Sequence, residues 1–180
     1  MRVNVVTLFP EMVAQALGFS IMARKPEPLV ACIAEIATEP DAAVVFVTPQ
    51  GETLTQRRVR EFAALGQMVV LCGHYEGVDE RVRELVVTDE ISIGDYVLTG
   101  GELPALVLID AVVRLLPGVL GNEASAATDS FEDGLLEHPH YTRPPQFRGM
   151  EVPVELVEGD HVAVARWRRK MSLLRTMQRR

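Results

Sequence analysis

Cysteine is nearly absent from this sequence. Only Cys32 and Cys72 occur in 180 residues, both inside apolar segments. A disulfide scaffold needs more, and a structural zinc site needs its ligands grouped at short spacing. The two are expected as reduced thiols in the core of a cytosolic protein. Long apolar runs are missing too. No segment supplies the ~20 apolar residues that cross a bilayer, and no charged-then-apolar leader stands at the N-terminus. The expectation is a cytoplasmic chain with no membrane partner. Neither GxxxxGK[ST] nor GxGxxG occurs, which counts against ATP and ordinary dinucleotide binding. No internal repeat and no low-complexity stretch is found.

What the chain does hold is a globular balance, 48% apolar and 24% charged residues. Its length suits one domain with a full core and a small appendage. The net charge of −7 conceals an asymmetry. Residues 161–180 carry seven Arg or Lys (Arg166, Arg168, Arg169, Lys170, Arg175, Arg179, Arg180) and no acid, which leaves −14 on the first 160. A basic tail on an acidic body suits polyanion contact at one end; a solvated helix face explains it equally well.

Strand and helix patterns alternate along the chain. Val3–Phe9, Ala42–Thr48 and Met68–Cys72 are short, β-branched apolar runs, and Val86–Ile93 carries a fourth strand. Between them lie a helix opened by Pro10, a helix over Pro26–Ala37, one over Thr55–Leu65 with Thr55 as N-cap, and a short one over Val78–Leu85. Helical periodicity returns over Glu102–Gly118, and Asp160 caps a helix in the tail. The alternation predicts an α/β domain with a largely parallel sheet and helices on both faces.

Glycines cluster just past the strands, in TPQGE, in CGHYEG and in IGDYVLTGG. In open α/β sheets the carboxyl edge is where ligands bind. Three such segments converging predict a backbone-walled pocket for a flat heterocycle; the plainer alternative is that each glycine only makes a turn.

Longer stretches carry a resemblance. LFPEM, KPEPLV, TPQG, CGHYEGVDERV, SIGDYVLTGGELPALVLIDAVVRLLPGVLG, EASAATDSF, GLLEHPHYTRP, GMEVP and RWRRKMSLLRT closely resemble, in order, the bacterial tRNA (guanine-N1)-methyltransferases of the trefoil-knotted (SPOUT) class. The resemblance implies methylation of the guanosine just 3′ of the anticodon, with tRNA as partner and S-adenosylmethionine as cofactor. It also implies a deep C-terminal trefoil knot, a rare exception to unthreaded topology, and an obligate homodimer with active sites between subunits. Cofactor positions carried over are Val47, Thr48 and Pro49, then Gly73, Tyr75, Glu76 and Gly77, then Ser92, Ile93, Gly94, Tyr96, Leu98, Gly100 and Pro104. Glu76 suits the methionyl ammonium or, through water, a Mg2+ ion; it equally suits a helix N-terminus.

Guanine N1 bears a proton at neutral pH, so a base must remove it and a cation must steady charge toward O6. The resemblance assigns Asp129 as general base and Arg114 as the electrostatic partner. Read without it, Asp129 is an N-cap for the segment at Phe131, and Arg114 complements a helix dipole. His138 and His140 lack acid partners at zinc spacing, so no metal is expected there; the family reading of this segment, with Arg143, is structural or tRNA-facing.

Two departures stand out. The family carries a glycine-rich insert resembling RxVDDxPYGGGPGM before KPEPLV, where this chain joins directly across residues 18–24. It also continues past LLRTMQRR into a helical tRNA-binding domain. The expected organisation is a knotted cofactor-binding domain over 1–158 and a basic connector helix over 159–180. Rival readings are a knotted domain that binds S-adenosylmethionine or RNA without catalysis, and a knotted methyltransferase acting on another RNA.

Overall fold

Runs of Val, Ile and Leu become strands here because both faces of the sheet they build are covered. The computed structural model describes residues 1–6, 26–73, 77–119 and 129–180. The chain divides into two compact units, Met1–Leu120 and Gly121–Arg180.

The first unit alternates β1 (Arg2–Val6), α1 (Pro26–Ile36), β2 (Ala43–Thr53), α2 (Gln56–Ala63), β3 (Gln67–Cys72), α3 (Glu80–Val86), β4 (Asp89–Ser92) and α4 (Glu102–Val113). Its strands lie in the order β1-β3-β2-β4, every neighbouring pair parallel. Side chains alternate between two cores. Val45, Met68, Val70 and Cys72 meet α2 and α4 through Val59, Phe62, Ala105, Leu108 and Val112. Val44, Phe46, Val69 and Leu71 meet α1 and α3 through Leu29, Ile33 and Val82. Parallel sheets need both faces covered in this way, which is why β3 is buried along its whole length.

Local chemistry sets the helix ends. Thr55 accepts from the Arg58 amide and opens α2; Asp79 accepts from the Arg81 amide and opens α3. Gln67, fully buried, accepts from the amides of Thr38 at 3.0 Å and Glu39 at 3.1 Å and donates to the Ile36 carbonyl at 2.6 Å. That one side chain closes the end of α1.

Several boundaries differ from the sequence reading. β2 continues to Thr53, so TPQGE lies within a strand rather than past its end. Val47 and Glu52 both pair with Ile91 of β4, and Thr48–Gly51 swell out of the ladder between them. Turn chemistry in those residues is real, but pairing with β4 resumes immediately after it. α4 stops at Val113 with Arg114 as its C-cap, and turns follow. Cys72 is buried, whereas Cys32 is exposed and not a core residue. α1 buries Leu29 and Ile33, one stripe at i and i+4, and Cys32 falls beside that stripe. Thr7–Phe9, the helix after Pro10 and the join across 18–24 lie outside the described residues.

The second unit holds a two-stranded antiparallel hairpin, β5 (Gln146–Phe147) with β6 (Met150–Glu151), a single turn α5 (Val154–Val157), and α6 (His161–Arg179). Asp160 caps α6 by accepting from the amides of Val162 at 2.8 Å and Ala163 at 3.3 Å. No described residue from 129 to 180 is buried.

Candidate functional site

A cavity of about 370 Å³ opens at the carboxyl ends of β2, β3 and β4, the edge where open α/β sheets take ligands. The bulge of β2 brings Val47, Thr48 and Pro49 to it. Gly73 and Gly77 come from beyond β3. Ser92, Ile93, Gly94, Tyr96, Leu98 and Gly100 come from beyond β4, and Pro104 from the first turn of α4. All the described residues carried over to the cofactor therefore stand around one space; Tyr75 and Glu76 lie outside the described residues.

The long segment after β4 owes its path to glycine at two places. Gly94 has φ +149°, and a Cβ on it would lie 2.5 Å from the Tyr96 ring. Around it Ser92 Oγ accepts from the Gly94 amide at 3.2 Å and donates to the Gly94 carbonyl at 3.0 Å, while Tyr96 Oη donates to the Ile93 carbonyl at 3.2 Å. Gly101 crosses the end of β3. Its amide donates to the Gly73 carbonyl at 2.8 Å, and a Cβ there would sit 2.8 Å from Cys72 Cα. Two backbones approach so closely only without a side chain.

One wall is charged, and the sequence reading missed it. Arg83 of α3 donates to both carboxylate oxygens of Glu90 on β4, at 3.1 and 2.6 Å, to Glu80 at 2.8 Å, and to Gln50 Oε1 in the β2 bulge at 3.3 Å. Its guanidinium lies 5.9 Å from the Phe46 ring centre. The hydrogen bonds to Glu90 push the Arg83 pKa above its already high value. The pairing joins three elements brought together by crossovers, so no spacing in the chain announces it. At the end of β3, in the core, burial pushes the Cys72 thiol up to about 12, with the Glu102 carboxylate adding to the effect. Cys72 is a neutral core group, not a nucleophile.

Arg114 is half-buried at the end of α4, its amide donating to the Asp110 carbonyl at 3.2 Å. Asp129 belongs to the second unit. Residues 129–135 form turns and bends, so Asp129 caps no helix at Phe131; its carbonyl accepts from the Glu132 amide at 3.3 Å. Phe131 has φ +74°, which breaks the helical path. Asp133 is occupied by Arg169. His138 and His140 do have an acid beside them: Glu137 Oε1 lies 2.8 Å from His140 Nε2, and the three side chains bring ligand atoms within 4.8 Å of one another.

Among the described residues no helix is long and apolar enough to cross a membrane. The family model described as tRNA (Guanine-1)-methyltransferase TrmD matches residues 22–180. Three similar proteins carry the name tRNA (guanine-N(1)-)-methyltransferase. That of Desulforamulus reducens is 45% identical over 221 aligned positions, covering 100% of this chain and 87% of its own. That of Gloeobacter violaceus is 46% identical and covers 100% of this chain and 96% of its own. That of Dehalococcoides mccartyi is 56% identical over 166 residues, 91% of this chain and 66% of its own. With 221 aligned positions against 180 residues, about 41 positions of the first relative have no counterpart here.

Proposed function

The chain belongs to the tRNA (guanine-1)-methyltransferase family, and we propose that it moves a methyl group from S-adenosylmethionine to N1 of the guanosine just 3′ of the anticodon of tRNA. The observation that carries this is the cavity at the carboxyl edge, where the family's cofactor positions gather. The residues present fit the cofactor: five glycines in the lining leave backbone amides and carbonyls within reach of a purine edge, and Val47, Ile93 and Leu98 suit its faces. When bound, S-adenosylmethionine supplies an electrophilic methyl. The protein's own part is to hold the guanine, remove one proton and exclude water. Asp129 accepts the N1 proton, and Arg114 offsets the charge that develops toward O6.

The finer parts of the proposal have separate supports. A trefoil knot is supported by the crossing of Gly101 over the end of β3. A homodimer with shared active sites is supported by the exposed apolar face of α4 and by the lack of buried residues over 129–180. Residues 1–158 are assigned to the knotted domain and 159–180 to a basic connector whose seven cations suit tRNA phosphates. Glu76 is assigned to the methionyl ammonium of the cofactor or, through water, to a Mg2+ ion, and chelation during turnover separates the two.

The experiment is methyl transfer from labelled S-adenosylmethionine to an unmodified tRNA transcript, with the product nucleoside identified. N1-methylguanosine is expected, and none should form when the target guanosine is replaced by adenosine. Label on another base, or no label, overturns the reading. The about 41 unmatched positions favour a second reading, a domain that binds S-adenosylmethionine and RNA without turnover; binding without single-turnover product would select it.

A further inference from the structure

The second unit contains its own cavity, of about 650 Å³, which the proposed reaction does not use. Arg143, Arg168, His138, His140 and Tyr141 line it over an apolar floor that includes Leu156. Neither Arg143 nor Arg168 has a hydrogen-bond or ion-pair partner among the described residues. On α6, Arg169 is engaged with Asp133 and Arg175 with the Glu137 carbonyl at 3.3 Å. Arg166, Lys170 and Arg179 also carry no such partner, but only Arg143 and Arg168 line the cavity.

The rings are held in place. Trp167 packs against Tyr141 at 6.1 Å and edge-on against His138 at 6.4 Å between ring centres. His140 is fixed by Glu137 at 2.8 Å, and His138 Nδ1 lies 3.1 Å from the Pro139 carbonyl. Rigid rings beside free guanidiniums are the combination that single-stranded nucleic acid uses, stacking for the base and cations for the backbone.

We propose that this cleft takes one unpaired nucleotide of RNA, its base against Tyr141 and His140 and its phosphate between Arg143 and Arg168. The proposal rests on tRNA being the substrate. The competing use of the same residues is a divalent metal, since Glu137, His138 and His140 offer donor atoms within 4.8 Å. Charge decides against it. A dication would share its wall with two uncompensated guanidiniums, whereas a phosphate is attracted by both.

The test uses tRNA binding and methyl transfer together. Tyr141→Leu should weaken tRNA roughly tenfold, the scale of one lost base stack, while Tyr141→Phe, which keeps the ring, should retain wild-type affinity. Arg143→Gln and Arg168→Gln should each reduce the slope of log affinity against log salt by about 0.7 to 1. S-adenosylmethionine affinity and the melting temperature should not move in any of them. Wild-type tRNA affinity and salt slope throughout overturn the proposal. So does stoichiometric zinc binding by the wild type that His140→Ala abolishes without changing tRNA affinity. Failure of the proposed reaction reads out differently: the wild type then transfers no methyl group, while direct tRNA binding by the same variants still decides the cleft.

Discussion

At Asp129 and Gly94 the two halves of the proposed chemistry, proton removal and cofactor seating, come apart. Asp129→Asn keeps shape and hydrogen bonding and removes basicity. Single-turnover methyl transfer should fall roughly a hundredfold or more, with S-adenosylmethionine affinity unchanged. Raising the pH should restore part of the rate, because guanine N1 then loses its proton unaided. A wild-type rate at neutral pH would remove Asp129 from the mechanism. Gly94→Val tests seating instead. Its φ of +149° disfavours any side chain, and even a Cβ would press the Tyr96 ring at 2.5 Å. Calorimetry should detect no S-adenosylmethionine binding to this variant; unchanged affinity would sink the placement. Both candidates come from motif wording through the family resemblance. Arg83 was not, because its partners Gln50, Glu80 and Glu90 sit on three different elements and meet only after two crossovers.

Among the elements, Arg83 ties α3 and β4 to the bulge of β2 that forms the cavity's first wall. Arg83→Met keeps an unbranched side chain beside Phe46 and removes every side-chain donor. KM for S-adenosylmethionine should rise several-fold with kcat nearly unchanged, because a misplaced wall costs ground-state and transition-state binding alike. Arg83→Lys should recover only part of the loss, since a point charge cannot bridge both oxygens of Glu90 and Gln50 together. A fall in kcat with KM unchanged would contradict the bracing role. Element ends with a capping side chain, such as Thr55 and Asp160, could be read from the sequence because the cap is a local contact. The extension of β2 to Thr53 could not. Thr48–Gly51 has turn chemistry, and only the strand beside it, remote in sequence, draws the chain back into the sheet.

Among the described residues, apolar surface is left without a cover. α4 buries Ala105, Leu108 and Val112 and exposes Leu103, Leu106 and Val107 on its other face, and Val97 and Leu98 of the cavity segment are exposed too. Over 129–180 Phe147, Met150 and Met177 are exposed and nothing described is buried. A unit with so little interior does not stabilise itself, and a contiguous apolar face marks an interface. The sequence pattern marked α4 as a helix, but that a second copy covers its outer face comes only from the family resemblance. If a second copy is the cover, sedimentation at micromolar concentration should give twice the 19.9 kDa chain mass, and Leu106→Glu should give a folded monomer that transfers no methyl group. A sharper test follows when Asp129 and Arg114 of each site come from different subunits. Asp129→Asn and Arg114→Ala are each expected to be inactive as homodimers. Unfolded together and refolded at equal amounts, half of the dimers are mixed and each mixed dimer holds one site with both groups intact, so about a quarter of wild-type activity should return. Inactivity of the mixture, with mixed dimers shown to be present, would place both groups in the same subunit's site.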